Sequence, residues 1–172
     1  MNIQQHKNIL FDFFKTISRL KNIKEGTEFE DQVEAIGATS GMITGLTLEQ
    51  ARFTKGLCLV RHPSGNPNRF PDFLITLDGK DLHVMECKTV GPKNNKVSYS
   101  HTKPKDHVLY ITGLTGEGIV KFCYGREIER VKEVLEPKYV APISKSKASL
   151  AKYGERNKEL IDEICKGDTE DS

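Results

Sequence analysis

The residues best suited to do chemistry lie in two short apolar runs that are joined by a turn. Asp72 follows Pro71 at the start of the first run, and Glu86 and Lys88 lie two positions apart within the second. Because alternate side chains of a β-strand point to the same face, Glu86 and Lys88 are expected to project together. An apolar set is expected on the same face: Leu82, Val84 and Val90. A carboxylate and an ammonium in such surroundings are costly to bury unless they pair, bind a metal or line a water-filled cleft.

Whether Asp72 shares that face depends on the turn between the two strands. A two-residue loop would orient Asp72 with Cys87 and away from Glu86. A three-residue loop over residues 78–80, or a β-bulge near Asp72, would place Asp72 directly opposite Glu86. A site that uses both carboxylates therefore predicts a three-residue loop or a bulge.

Two carboxylates on neighbouring strands form a hard oxygen site. Asp72 and Glu86 suit Mg²⁺, which is commonly bound through one or two carboxylates and keeps several waters, and the backbone carbonyl of Cys87 would add a ligand. Such a metal acidifies a bound water and neutralises charge on a phosphate. Lys88 would hold that water or the phosphate. The alternative interpretation is a plain hairpin with an ion pair between its strands.

The elements that must position these residues follow from the spacing of apolar residues. Helical periodicity predicts a helix from Ile3 to Leu20 and another that starts near Thr27, with Thr27 as its cap and Glu30 as the capping-box partner. Further helices are expected at 48–53, at 128–135 and over the last apolar stretch from Leu150 to Ile164. Strands are predicted at 57–60, 73–77, 82–90, 107–112 and 119–124. This order predicts an α/β (α+β) fold with a mixed central sheet of about five strands flanked by helices.

The length of 172 residues indicates one domain. Within 1–172 we expect a core over about 27–126, a helical N-terminal segment over 1–26, a helical C-terminal segment over 127–166 and an acidic tail over 167–172. The four cysteines are scattered without a CxxC pair, which argues against a zinc knuckle and favours reduced thiols in the cytoplasm. The sequence contains no apolar run long enough to cross a membrane, no signal peptide and no phosphate-binding glycine loop, so neither a membrane nor a nucleotide cofactor is expected.

The site motif resembles that of the PD-(D/E)xK nuclease superfamily, whose pattern Pro71–Asp72 and Glu86–Cys87–Lys88 match in full. Further segments look like parts of type II restriction endonucleases: the loop at 62–66, the stretch at 103–111, the strand end at 123–126 and the helix that carries Phe29, Glu30 and Val33. Together the resemblance covers roughly residues 27 to 126 and implies a restriction-endonuclease-like core.

The resemblance implies Mg²⁺-dependent hydrolysis of phosphodiester bonds in double-stranded DNA, leaving 5′-phosphate and 3′-hydroxyl ends. In it, Asp72 and Glu86 bind the metal and Lys88 positions or activates water. Glu30 is the expected fourth member of the site, and Glu34 is the other candidate for that position. Alternatively, both belong to the solvated face of the helix. A repair or junction-resolving nuclease of the same superfamily, or a non-catalytic DNA-binding module, are the other possible functions.

Contacts with DNA are expected from basic and polar residues around the motif. The segment between residues 90 and 107 contains four lysines and one aspartate, which favours a surface that binds phosphate. Lysines are, however, also the ordinary residues of solvated loops. The candidate DNA-binding residues are Arg69, Lys93, Lys96, Ser98, Tyr99, His101, Lys103 and Lys105. Cleavage of both strands by one site per chain suggests a homodimer. The first helix, with Phe11, Phe13 and Phe14, is either its interface or part of the core.

Overall fold

The computed structural model describes residues 2–62, 71–99, 103–129 and 138–170. Four α-helices occur in these ranges: α1 (Ile3–Ser18), α2 (Thr27–Ser40), α3 (Leu48–Arg52) and α4 (Lys147–Glu170). The strands are β1 (Leu57–Arg61), β2 (Phe73–Leu77), β3 (Lys80–Val90), β4 (Lys96–Ser98), β5 (Leu109–Leu114), β6 (Ile119–Tyr124) and β7 (Val140–Pro142). Most of the helix predicted at 128–135 lies outside the described residues, and Ile128 itself follows a short 3-10 turn at Gly125–Glu127.

The central sheet has five strands in the order β1-β2-β3-β5-β6. β1, β2 and β3 form an antiparallel meander, β5 lies parallel to β3, and β6 returns antiparallel to β5. The chain passes from β3 to the parallel β5 through β4, which pairs with β7 in a separate two-stranded sheet. The predicted α+β fold with a mixed five-stranded sheet is therefore confirmed.

Two boundary predictions are wrong. β7 lies within the C-terminal segment over 127–166 that we expect to be helical, between the two helices predicted there, and its three residues are too few to show a period of two. Thr27 does not cap α2, because it is the first helical residue, and Gly26 with a φ of 58° occupies the cap position without a side-chain hydrogen bond.

Apolar side chains fill both faces of the sheet. On one face, α1, α2 and α4 bury Leu10, Phe13, Phe14, Phe29 and Leu160 against strand residues such as Met85, Ile111 and Phe122. On the other face, the small sheet of β4 and β7 covers a second cluster that includes Val90, Tyr99, Val108 and Tyr110. Phe13 and Phe14 are fully buried within the chain, so only Phe11 of the three candidates for a dimer surface is exposed.

Close packing holds α2 against the sheet. A Cβ atom at Gly37 would approach Leu59 Cδ2 to 2.5 Å, so a larger residue there would require the Leu59 side chain to move. No helix in the described part of the chain is both long and apolar enough to cross a membrane.

Candidate active site

The hairpin of β2 and β3 carries the site, and its turn contains two residues. Leu77 pairs with Lys80, which leaves Asp78 and Gly79 as the loop. Both have positive φ, 51° and 83°, as the type I′ turn of a tight hairpin requires. Of the two predicted alternatives, the three-residue loop over 78–80 is therefore excluded, because an Asp-Gly pair suits the tighter turn.

A β-bulge restores the register that the site needs. Thr76 pairs with Asp81, whereas Ile75 pairs with His83, so Leu82 is an extra residue in β3. The regular pairing that follows matches Phe73 with Met85 and so brings the next residues, Asp72 and Glu86, opposite each other. The predicted bulge is confirmed, although it lies nearer the turn than expected.

The bulge also changes the face that Leu82 occupies. Leu82 packs against the cluster under α1, α2 and α4, whereas Val84 and Val90 pack on the other face. The expectation that Leu82 shares a face with Val84 and Val90 is therefore wrong.

Asp72 and Glu86 interlock through backbone hydrogen bonds. The Asp72 N–H donates to Glu86 Oε1 at 2.7 Å, and the Cys87 N–H donates to Asp72 Oδ2 at 2.9 Å. Asp72 is 6% exposed and Glu86 is 8% exposed. Each carboxylate is thus fixed by the backbone of the opposite strand, which gives the pair a defined geometry.

Burial and the neighbouring carboxylate disfavour the charge on Glu86. Its pKa rises to about 7, first because it is buried and then because of the charge of Asp72, while Lys88 acts in the opposite direction. The repulsion between the Asp72 and Glu86 carboxylates does not stabilise the hairpin. A cation bound at the pair would relieve it.

Lys88 lies beside this pair and is held on two sides. Its Nζ atom is 3.8 Å from Glu86 Oε2 and 5.8 Å from the centroid of the Tyr99 ring. Tyr99 is itself locked edge-on against Tyr110, with ring centroids 5.2 Å apart. The Lys88 side chain is 22% exposed, so its ammonium is confined while it still reaches solvent.

Glu30 rather than Glu34 lies with the other candidates. It is in the first turn of α2, is 5% exposed, and lines a cavity of about 320 Å³ together with Cys87 and Lys88. Glu34 is one turn further along α2 and faces a larger neighbouring cavity of about 740 Å³. The structure therefore brings together Asp72, Glu86, Lys88 and Glu30.

Arg61, at the end of β1, is the residue that the sequence analysis missed. Its guanidinium lies between acidic residues of α2: Nη1 is 2.6 Å from Asp31 Oδ1 and 3.4 Å from Glu34 Oε1, and Nε is 3.8 Å from Glu30 Oε1. In the sequence, Arg61 is visible only as an arginine at the end of a predicted strand, shortly before the Pro-Asp motif. Its position there does not show which residues it contacts.

Cys87 and His83 are half-buried and lie on the face of β3 that is opposite to Glu86. Burial raises the pKa of the Cys87 thiol well above its usual range, and the carboxylates of Asp72, Glu30 and Glu86 raise it further. The thiol therefore stays protonated and is a poor nucleophile. His83 lies edge-on to Phe14 with ring centroids 6.4 Å apart.

The predicted DNA-binding residues fall into three groups. Lys93, Lys96, Ser98, Lys103 and Lys105 are exposed. Tyr99 is only 6% exposed, so the structure places its ring in the core beside Lys88 and not on a surface that DNA could reach. Arg69 and His101 lie outside the described residues.

The candidate metal ligands form a pair. Across residues 2–62, 71–99, 103–129 and 138–170, no group of three or more His, Cys, Asp or Glu side chains could hold a metal ion. Two buried carboxylates whose charges oppose each other nevertheless fit Mg²⁺, which takes few protein ligands and completes its shell with water. The Cys87 carbonyl stays a predicted third ligand.

A scan of protein-family models found no match to this chain. Searches of the curated proteins and of the solved structures also found no significant match.

Proposed function

We propose that the protein is a Mg²⁺-dependent endonuclease of the PD-(D/E)xK type that hydrolyses double-stranded DNA. The observation that carries the proposal is the bulged hairpin, which sets Asp72 opposite Glu86 and places Lys88 3.8 Å from Glu86. Within that class we favour a type II restriction endonuclease that leaves 5′-phosphate and 3′-hydroxyl ends, because the motif and its flanking segments resemble those enzymes.

Each residue has a separate task in this proposal. Asp72 and Glu86 would hold the metal, since their carboxylates converge while the backbone fixes their orientation. When bound, Mg²⁺ supplies positive charge to the phosphate and acidity to a coordinated water. Lys88 would position the attacking water and stabilise the charge that grows on the phosphoryl oxygens. Glu30 completes the wall of the cavity into which Lys88 reaches.

An inert hairpin explains these observations less well. A cross-strand ion pair would place one acid against one base, whereas here two buried carboxylates face each other and Lys88 lies at their side. The raised pKa of Glu86 is an energetic cost that proteins commonly accept at functional sites. The interlocking backbone hydrogen bonds maintain this arrangement despite its cost.

The exposed lysines supply a surface for the DNA backbone. Lys93, Lys96, Lys103 and Lys105 lie on the segment that follows the Lys88 strand, so phosphates held there would lead towards the site. A homodimer would cut both strands. All four cysteines are free, which agrees with the proposed cytoplasmic location.

The test is incubation of the purified protein with a long viral genomic DNA in Mg²⁺ or in EDTA, followed by sequencing of the fragment ends. A restriction endonuclease gives discrete fragments that share one sequence at their 5′-phosphate ends, and only with Mg²⁺. A four-way junction is the parallel substrate: junction cleavage without plain duplex cleavage would support the resolving nuclease instead. Binding of both DNAs without cleavage would overturn the enzymatic proposal.

A further inference from the structure

We propose that Arg61 is a positioning residue that holds Glu30 in the active site. This inference rests on the proposed function, because it takes Glu30 as the fourth member of the proposed site, with its carboxylate in the cavity beside Lys88. It starts from the contacts of the Arg61 guanidinium, which connect the end of β1 to the first turns of α2.

Arg61 contacts α2 at several points within two turns. Besides its contacts with Asp31 and Glu34, Nη2 donates to the carbonyl oxygen of Thr27 at 3.4 Å. Nε lies 3.8 Å from Glu30 Oε1. The Arg61 side chain is 18% exposed, so the group is enclosed between the strand and the helix.

Glu30 is the most deeply buried of the three acids beside Arg61. The Glu30 side chain is 7% exposed, against 64% for Asp31 and 30% for Glu34, so water can replace Arg61 at Asp31 but hardly at Glu30. A buried carboxylate without a nearby positive charge is strongly disfavoured. Arg61 therefore places a positive charge beside the buried Glu30 carboxylate.

The same end of α2 is tied to the strand that carries Lys88. The Gly26 N–H donates to Thr89 Oγ1 at 3.3 Å, so the start of α2 is fixed by β3 on one side and by Arg61 on the other. Between these two ties Glu30 faces the cavity it shares with Cys87 and Lys88. Loss of Arg61 would remove the tie to β1 and the positive charge that lies 3.8 Å from Glu30 Oε1, so the carboxylate would be less well fixed in the cavity.

Arg61 also lines the larger cavity of about 740 Å³ with His62 and Pro71, so direct contact with DNA is the competing explanation. A residue that acts through Glu30 has no effect once Glu30 is neutralised. A residue that contacts DNA keeps its effect in that background. A double-mutant cycle separates the two.

The experiment combines Arg61→Met, Glu30→Gln and their double variant with Arg61→Lys and the control Glu28→Gln. We expect Arg61→Met to lower the single-turnover cleavage rate at saturating DNA about tenfold or more in the native background, and by less than about twofold in the Glu30→Gln background. Arg61→Lys keeps a charge and should recover part of the rate. Glu28→Gln, which changes an exposed acid in the first turn of the same helix, should stay within about twofold of the native rate.

Equal fold losses from Arg61→Met in both backgrounds would overturn the proposal, and so would a loss from Glu28→Gln as large as that from Arg61→Met. Thermal melting of the same four proteins of the cycle gives a readout that needs no cleavage. The sum of the melting-temperature losses of the two single variants should exceed the loss of the double variant. A sum equal to the loss of the double variant would contradict the coupling. A native protein that cuts no DNA would contradict the proposed function, yet the melting cycle would still decide whether Arg61 acts on Glu30.

Discussion

At the scale of single residues, the site consists of groups that restrain one another. Asp72 and Glu86 are each held by a backbone N–H of the opposing strand, and Lys88 is held between Glu86 and the Tyr99 ring. In the proposed enzyme, such restraint would fix the reacting groups before substrate arrives. Catalytic groups that are already in place cost little reorganisation during the reaction.

Lys88 gives the residue-scale prediction. In the proposed mechanism the charge of Lys88 is needed most when charge develops on the phosphate, so Lys88→Ala should lower the single-turnover rate at least about 100-fold while DNA binding changes little. Lys88→Arg should also be slow, since a planar fork does not replace a compact ammonium. Thermal melting and single-turnover kinetics on the same preparations provide the check. A destabilised Lys88→Ala protein that still cuts at the native rate would show that Lys88 is only the ion-pair partner of Glu86.

Sequence reasoning identified Asp72, Glu86 and Lys88 because their spacing on strands is visible in one dimension. It left Glu30 and Glu34 open because the phase of a helix against a sheet is a three-dimensional property. It missed Arg61 for the same reason, as all its acidic partners lie about thirty positions earlier in the chain. The wrong expectation for Tyr99 arose because a tyrosine between polar residues gives no sign that β4 folds back over the sheet.

At the scale of elements, the bulge in β3 decides whether the site exists. With the two-residue turn at Asp78 and Gly79, a regular ladder would pair Asp72 with Met85 and point the two carboxylates to opposite faces. The extra residue Leu82 shifts the pairing by one position, so that Asp72 lies opposite Glu86. Parity arguments from the sequence could state the need for a correction but could not place it, because a bulge and a longer loop have the same effect on register.

The bulge leads to a prediction about a deletion. Removal of Leu82 should leave a regular hairpin in which Asp72 still faces Glu86, because the residue removed is the extra one. We expect cooperative melting at a lower temperature, since Leu82 packs on the core, and Mg²⁺-dependent cleavage within about tenfold of the native rate. Leu82→Ala, which retains the bulge, is the matched control. A deletion variant that melts like this control but has lost cleavage would show that the bulge does more than set the register.

At the scale of the whole molecule, two cores on opposite faces stabilise the sheet, and buried polar groups tie their parts together. Asn157 of α4 accepts from the Phe122 N–H and donates to the Val120 carbonyl, both at 2.7 Å, so its amide occupies the edge of β6 as a further strand would. The two cores follow from apolar periodicity and could be predicted. Contacts such as this one depend on where a distant helix docks and could not.

His83 makes the stability of the whole fold depend on pH. Burial lowers its pKa from about 6.5 to about 4, so the unfolded chain takes up a proton first as the pH falls. This group's contribution is therefore constant above about pH 6.5 and is lost between pH 6.5 and 4, by about 2–3 kcal/mol. Urea unfolding at pH 7 and pH 4 should show a larger loss for the native protein than for His83→Gln. Equal losses would mean that His83 titrates normally in the folded state.

The central claim is that Asp72 and Glu86 together form the catalytic metal site. It is tested most directly by single-turnover DNA cleavage in Mg²⁺ by the native protein, Asp72→Asn, Glu86→Gln and the control Asp81→Asn, an exposed acid of the same hairpin that pairs with Arg52. The account predicts losses of at least about 100-fold for Asp72→Asn and Glu86→Gln with DNA binding retained, and a rate within about twofold of native for Asp81→Asn. Native-like cleavage by either Asp72→Asn or Glu86→Gln would contradict it.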